Sequence, residues 1–467
     1  MTGTRSSLSV IVIGFSALLC LAVLTGIRFA ASEEPSKTEL YTKTPAVPVR
    51  GGIFDRNGTP LAVSNGDGRS YPEPLCPHLL GSLSADGSAL GGIELAFDDT
   101  LRGVRGQRQG EDIYLTIDAE LQCTAESILR TAAKRYSEGV DHDTAAPYCG
   151  KAGAAVVIDC SDGEVLALAS YPDHKLESFS EDYESLLNDE SSPLLDRALQ
   201  GLYRPGSTFK TVTAAAALIE GAVSPTTCFW CGSSVNIAGS RFSCMKQHGY
   251  TDISKALELS CNIYFYRAAL RLGTEPLISY ASLFGYGEAP ALELPTLSGQ
   301  TAAPDNTGYW GDGQLIQAAI GQSTTLCTPL QMCLSAVMLA NKGIRPQPRI
   351  VRSIGNSIPP DARLTPVIAA ELKADSVFEL ITDAMTASTA YTYGEYALSQ
   401  LPSPCAIKTG TPQSPRGYDS AVIGFYPADK PEIAFAVMLE GGANAKHTVY
   451  ELCAAYERVR ASLGRRR

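Results

Sequence analysis

Histidine is scarce in this chain, with five among 467 residues: His78, His142, His174, His248 and His447. None belongs to a His-Glu-x-x-His pair, which argues against a helix-borne zinc hydrolase. Basic residues are few as well. Lys+Arg number 38 against 49 Asp+Glu, the net charge is −11, and no basic run precedes the closing Arg465-Arg466-Arg467. An acidic chain without a basic stripe argues against nucleic acid as a partner. Gly 42 and Pro 28 follow no fixed period, which excludes a collagenous chain, and no repeat of solenoid length is present. What remains is 45% hydrophobic and 19% charged residues, ordinary globular composition. At about 100–200 residues per domain, the length allows two to four domains.

Residues 8–27 are uncharged and mostly Leu, Val, Ile and Ala, long enough for one helix across a bilayer. A secretory h-region is shorter, about 7–15 residues. The run predicts a single-pass anchor in residues 1–31, with Arg5 and the amino terminus cytoplasmic and the rest of the chain outside. Residues 32–110 are punctuated by Pro and Gly and predict a small, mainly-β module. Residues 121–136 have the period of an amphipathic helix. Apolar runs at 154–159 and 164–169, joined through Ser161-Asp162-Gly163, predict a β-hairpin. Residues 195–390 are mainly helical in pattern, and three strand-like segments follow at 405–410, 420–426 and 433–439. One mixed sheet built from both ends of a large α+β domain, residues 111–467, accounts for this order.

The most informative stretch is Tyr203-Arg204-Pro205-Gly206-Ser207-Thr208-Phe209-Lys210. Pro205-Gly206 breaks the chain, and 208–220 predicts a buried helix around Ala214-Ala215-Ala216-Ala217. Ser207 then sits at a helix start with Lys210 one turn on, on the same face. A serine hydroxyl needs a base to become a nucleophile, and a buried lysine can serve once desolvation lowers its pKa. By itself the pattern is cheap, since Ser-x-x-Lys arises about once or twice by chance in such a chain. A second copy, Ser243-Cys244-Met245-Lys246, has no helical run after it and reads as accidental. Taken alone, Ser207 is equally an ordinary helix N-cap. Two further pieces follow in order: Ser260-Cys261-Asn262 between two helical runs, and Lys408-Thr409-Gly410 in a late strand. Ser234-Val235-Asn236 shows that Ser-x-Asn is also common. Gly410 is read as allowing a substrate backbone close to its strand, and Lys408 as holding a substrate carboxylate or joining a proton network.

In this order and these settings, the three motifs resemble the Ser-Lys acyltransferase set of penicillin-binding proteins and serine β-lactamases. The segment 50–62, Arg50-Gly51-Gly52-Ile53-Phe54-Asp55-Arg56-Asn57-Gly58-Thr59-Pro60-Leu61-Ala62, is similar to the membrane-proximal signature of class B penicillin-binding proteins. Gly91-Gly92-Ile93-Glu94 with Leu101-Arg102-Gly103 resembles the end of their pedestal, and Leu115-Thr116-Ile117-Asp118 the opening of their transpeptidase domain. Asp196-Arg197-Ala198, Gly321-Gln322-Ser323 and Thr328-Pro329-Leu330-Gln331 fit the same family. The resemblance implies a mixed α/β transpeptidase domain with a five-stranded antiparallel sheet and a helical subdomain, on a short pedestal. It implies a D,D-transpeptidase acting on D-Ala-D-Ala stem peptides of peptidoglycan and acylated by β-lactams, without metal or cofactor. Catalytic roles fall to Ser207 as nucleophile, Lys210 as base, Ser260 as proton relay and Asn262 as orienter. Lys408, Thr409, Gly410 and Thr411 would bind the terminal carboxylate, and the N–H groups of Ser207 and Thr411 would form the oxyanion hole. No glycosyltransferase segment precedes the pedestal, so a separate membrane polymerase of the shape, elongation, division and sporulation class is the expected partner. The rival readings are a D-alanyl-D-alanine carboxypeptidase or β-lactamase, in which water replaces the amine, and a catalytically silent penicillin-binding scaffold.

Thirteen cysteines are present, and Cys228, Cys231, Cys244 and Cys261 crowd one stretch. Cys228-x-x-Cys231 with Cys244 is one reading as part of a zinc site, with His248 the available fourth ligand. The preferred expectation is a Cys231–Cys244 disulfide, since the domain is expected on an oxidising side and similar loops in Gram-positive members of the family carry a Cys pair. Cys261 is expected to be a small packed residue.

Overall fold

A computed structural model describes residues 49–465 apart from 66–67, 85, 104–108, 140–146, 302–310, 357–364 and 416. The apolar run 8–27 lies outside the described residues. Among the described residues no helix is long and apolar enough to cross a membrane.

The expected hairpin and the three late strands form one sheet. β1 (Ala152–Asp159), β2 (Val165–Tyr171), β3 (Ala406–Gly410), β4 (Ser420–Tyr426) and β5 (Ile433–Glu440) lie in the order β3-β4-β5-β1-β2, every neighbour antiparallel. Successive side chains on a strand point to opposite faces. On β1, Ala154, Val156 and Ile158 join one core and Ala155 and Val157 the other. Both faces are covered, which is why β1 and β5 read as continuous apolar runs instead of alternating.

One face packs against α1 (Ala119–Ser137) and α6 (Thr448–Arg465), through Leu121, Ala125, Ile128, Leu452 and Cys453. Asp118 caps α1 by accepting from the Glu120 and Leu121 N–H groups, so this helix starts two residues before the periodic pattern. The other face packs against α5 (Pro329–Ala340), every residue of which is buried. Thr328 and Gln331 form a reciprocal capping box at its start. Beyond α5 lies the helical layer: α2 (Lys210–Ile219), α3 (Ile253–Glu258) and α4 (Asn262–Leu272). The tetra-alanine run on α2 is wholly buried and lets neighbouring helices approach closely.

The mainly helical expectation for 195–390 misses two β-ribbons in the cysteine-rich stretch. Phe229–Cys231 pairs with Gly249–Thr251, and Ser234–Ile237 with Ser240–Ser243. The pedestal also differs from a purely strand-and-loop module. Its strands Ile53–Phe54, Pro60–Asn65 and Gly68–Ser70 are followed by short helices Pro77–Leu80, Gly92–Ala96 and Asp98–Arg102. These run four or five residues each, too short to show helical periodicity. Val351–Ile354 and Ile113–Leu115 complete the pedestal sheet, so a late segment folds back onto it. The 50–62 signature acts here as a clamp. Arg50 and Arg69 both pair with the fully buried Glu94, and Asp55 accepts from the N–H groups of Asn57, Thr59 and Ala119.

Candidate active site

Pro205 and Gly206, the latter at φ 57°, turn the chain into a 3-10 turn, Gly206–Phe209, and the α-helix begins at Lys210. Ser207 thus stands in a 3-10 turn one step ahead of α2, a correction to a simple helix start. Gly321 packs beneath this turn. At φ 69° a Cβ there would overlap Gly206 O, and the Gly206 N–H donates to Gly321 O at 2.9 Å. Arg204 clamps the outside, donating to Ser323 O at 2.8 Å and to Gln413 O at 2.7 Å.

The Ser-x-Asn element links α3 to α4. Ser260 has φ 56°, a left-handed conformation that costs a non-glycine residue free energy and tends to persist where surrounding structure enforces it. Here Lys210 Nζ donates to Ser260 O at 2.7 Å, to Ser260 Oγ at 3.2 Å and to Asn262 Oδ1 at 2.6 Å. Lys408, from β3, donates to the same Ser260 Oγ at 3.1 Å and to Thr409 O at 3.1 Å. One serine hydroxyl therefore sits between two lysines, which are 0% and 1% exposed. Burial lowers the Lys210 ammonium to about 8, while the nearby Cys244 and Cys261 thiols pull the other way. Burial, and then the charge of Lys210, push Lys408 well below its ordinary value. A lysine that releases its proton near neutrality can accept one from a hydroxyl.

Ser207, Ser260, Asn262, Thr409 and Thr411 line one cleft of about 470 Å³. Two larger cavities, of about 750 and 630 Å³, lie beside the pedestal residues Tyr71 and His78, and none of Ser207, Lys210, Ser260, Asn262 or Lys408 lines them. Chemistry, not volume, selects the site. A family model described as the penicillin binding protein transpeptidase domain matches residues 153–456. The chain belongs to this penicillin-binding protein family. It is similar to the peptidoglycan D,D-transpeptidase MrdA of Acinetobacter baumannii, 29% identical over 403 residues that cover 75% of this chain and 57% of the relative. The chain thus spans less than two thirds of that relative's length. Penicillin-binding protein A from M. tuberculosis, solved as a ceftriaxone acyl-enzyme complex, matches with a TM-score of 0.76 at 25% identity, over 88% of this chain and 98% of that one. A chain from a peptidoglycan synthase complex, described as coordinating polymerization and crosslinking, matches with a TM-score of 0.75 at 25% identity, over 97% and 98%.

In this penicillin-binding protein two of the expected site residues, Lys408 and Gly410, make contacts that bear on their readings. Lys408 donates to the same Ser260 hydroxyl as Lys210, the contact that its proton-network reading requires. The side of Gly410 where a Cβ would stand meets Pro205 O at 2.9 Å and Thr208 Cγ2 at 3.2 Å, so this glycine lets β3 pack closely against the turn that carries Ser207. Ser243 ends a short ribbon strand and opens no helix, and its backbone carbonyl accepts from Asn262 Nδ2 at 3.2 Å and so fixes the amide whose oxygen holds Lys210. A carbonyl role leaves no mark in sequence. Arg241, Gln322 and Tyr418 also line the cleft. They carry no motif by themselves, although Gln322 lies inside Gly321-Gln322-Ser323.

The cysteine expectations change most. The Cys231–Cys244 disulfide is not formed, and all twelve described cysteines are free thiols. The reason is geometric: the ligand atoms of Cys231, Cys244, His248 and Cys261 converge within 4.8 Å of one another, so neither thiol faces the other alone. Cys261 is buried, but it turns into this cluster instead of being mere packing. Cys228 is exposed and outside it.

Proposed function

We propose that this chain is a serine-type peptidoglycan D,D-transpeptidase. The reading is carried by one observation: Ser260 Oγ bridges two buried lysines in the cleft that Ser207 lines. Ser207 Oγ attacks the carbonyl of the penultimate D-Ala as Lys210 takes its proton. The proton passes through Ser260, between Lys210 and Lys408, to the amine of the departing D-Ala. An amine of a neighbouring stem peptide then takes the acyl group from Ser207, losing its proton along the same path. N–H groups of Ser207 and Thr411 face the developing oxyanion, where one donor is typically worth about 2.7–4 kcal/mol. β-Lactams acylate the same serine, as ceftriaxone does in the M. tuberculosis relative. The pedestal, residues 32–110, carries the catalytic domain, residues 111–467, outside a membrane crossed once by residues 8–27. The synthase-complex relative supports a separate membrane polymerase as partner.

The test is the purified chain with glycan strands bearing D-Ala-D-Ala stems, read by mass spectrometry. Cross-linked dimers with released D-Ala support transpeptidation. Released D-Ala without dimers would make the chain a carboxypeptidase, and a β-lactam label lost within seconds would make it a β-lactamase.

A further inference from the structure

We infer that Arg241 forms a subsite for a second carboxylate of the donor stem peptide, on the amino side of its D-Ala-D-Ala end. The cleft then selects stems in which that carboxylate is free over stems in which it is amidated. The inference rests on the proposed function and names a preference within it.

The charge of the cleft differs from that of the chain. The whole chain carries −11. Among the described residues that line the cleft there is no Asp and no Glu, and Arg241 is the one charged side chain. Lys210 and Lys408 do not line it. They lie buried behind Ser260 with lowered pKa values. The fixed positive charge open to the cleft is therefore a guanidinium, which keeps its proton at any workable pH.

Arg241 is exposed, and among the described residues no hydrogen bond or ion pair engages its guanidinium. Arg204, on the outside of the Ser207 turn, is by contrast held by Ser323 O and Gln413 O. The backbone of Arg241 is fixed. It stands opposite Asn236 in the ribbon of Ser234–Ile237 and Ser240–Ser243. Phe242, the next residue, packs edge-on against Tyr266 of α4, with ring centroids 5.9 Å apart. Two residues of strand, roughly 7 Å, separate Arg241 from Ser243, whose carbonyl holds Asn262 Nδ2. The guanidinium thus belongs to the wall that carries Asn262, whereas Thr409 and Thr411 belong to β3 and the residues just after it.

A stem in the productive pose gives its terminal carboxylate to Thr409 and Thr411 and its reactive carbonyl to Ser207. The rest of the peptide leaves past Asn262, on the side where Arg241 stands. An extended residue spans about 3.3–3.6 Å, so about two residues cover the stretch of ribbon from Ser243 to Arg241. Stem peptides offer carboxylates in that stretch, on the side chain of a diacidic diamino acid or on the α-carbon of a glutamate joined through its side chain. A guanidinium meets either one with two parallel N–H···O bonds. An amide in its place turns one acceptor into an N–H donor that faces other donors.

The full chain is given pairs of synthetic stem peptides ending in D-Ala-D-Ala, identical except that one upstream carboxylate is free or amidated. One pair varies the diamino acid, the other the glutamate. Acylation of Ser207 and release of D-Ala are followed by mass spectrometry, with kcat and KM measured separately. Benzylpenicillin, whose single carboxylate corresponds to the terminal one, counts active protein. In wild type at least one pair is expected to show kcat/KM about tenfold higher for the free carboxylate, through KM, as for a charge-assisted bond partly open to water. The pair that shows it names the carboxylate. Arg241→Gln is expected to bring the two members together, Arg241→Lys to keep part of the preference and Arg241→Glu to reverse it. Raising the ionic strength from about 0.1 M to about 1 M should shrink the wild-type preference, because it screens an exposed pair. An Arg241 that only supports the ribbon would lower both members alike. Equal rates within both pairs in wild type, or a preference that Arg241→Gln leaves intact, overturn the subsite while peptide turnover keeps the proposed function standing. Benzylpenicillin labelling with no acylation by any peptide overturns the proposed function and the subsite together.

Discussion

Replacing Lys210 by methionine separates what the buried lysine costs from what it does. Its folded pKa is about 8 against an ordinary 10.5. The difference is worth roughly 3 kcal/mol, at about 1.4 kcal/mol per pH unit. The unfolded chain keeps the proton until about pH 10.5 and the folded site until about pH 8, so the cost is complete below pH 8 and fades as pH rises to 10.5. Methionine is of similar length and uncharged. It removes that cost, and with it the hydrogen bonds to Ser260 O, Ser260 Oγ and Asn262 Oδ1, each worth about 1 kcal/mol. At pH 7 the two effects nearly cancel, and Lys210→Met should lie within about 1 kcal/mol of wild type. At pH 10 mainly the hydrogen-bond loss remains, and the variant should be roughly 2 kcal/mol less stable. Acylation should fall by about 10²–10⁴ at both pH values, the usual worth of a general base. In wild type the acylation rate should climb with pH until about pH 8 and then level. Urea unfolding of both proteins at pH 7 and pH 10, with stopped-flow labelling by a fluorescent β-lactam, measures all of this. A stability difference that stays constant between the two pH values refutes a Lys210 that titrates in this window. Near-wild-type acylation by the variant places the base elsewhere.

Ser207→Ala should abolish covalent labelling while Ser243→Ala keeps it, because only the Ser243 carbonyl is used; label persisting on Ser207→Ala protein would sink the nucleophile assignment. Lys210→Arg should fold yet acylate orders of magnitude more slowly, since a guanidinium stays protonated at any workable pH, and a near-normal rate in the same labelling assay would contradict this. Gly321→Ala places a Cβ against Gly206 O in a left-handed conformation and should lower both the melting temperature and the acylation rate; calorimetry showing an unchanged melting temperature would count against the packing described. Glu94→Ala leaves Arg50 and Arg69 without their shared buried partner and should cost about 3–5 kcal/mol by denaturant titration, with a loss under 1 kcal/mol as the contrary result.

The sequence by itself determined what local chemistry can write. The hairpin of β1 and β2, the three late strands, α1 and the buried helix after Ser207 follow from hydrophobic periodicity and turn residues, which act over a few positions. The order of Ser207, Lys210, Ser260, Asn262 and Lys408 was readable because each type suits one task and the three motifs together are rare. Tertiary structure decided the rest. Only the convergence of α2, the α3–α4 turn and β3 brings Lys210 and Lys408 to the same hydroxyl and strips both of water, which gives the lysines their lowered pKa values. The packing of β3 against the Pro205 turn, which leaves no room for a Cβ at Gly410, also exists only in the fold. The Ser243 carbonyl and the four-donor cluster of Cys231, Cys244, His248 and Cys261 have the same origin. Their parts lie as far as thirty residues apart in the chain and meet because two short ribbons fold beside α4. A backbone oxygen has no residue type, and a cysteine spacing fixes neither partner nor distance, so these features exist only once the chain is folded.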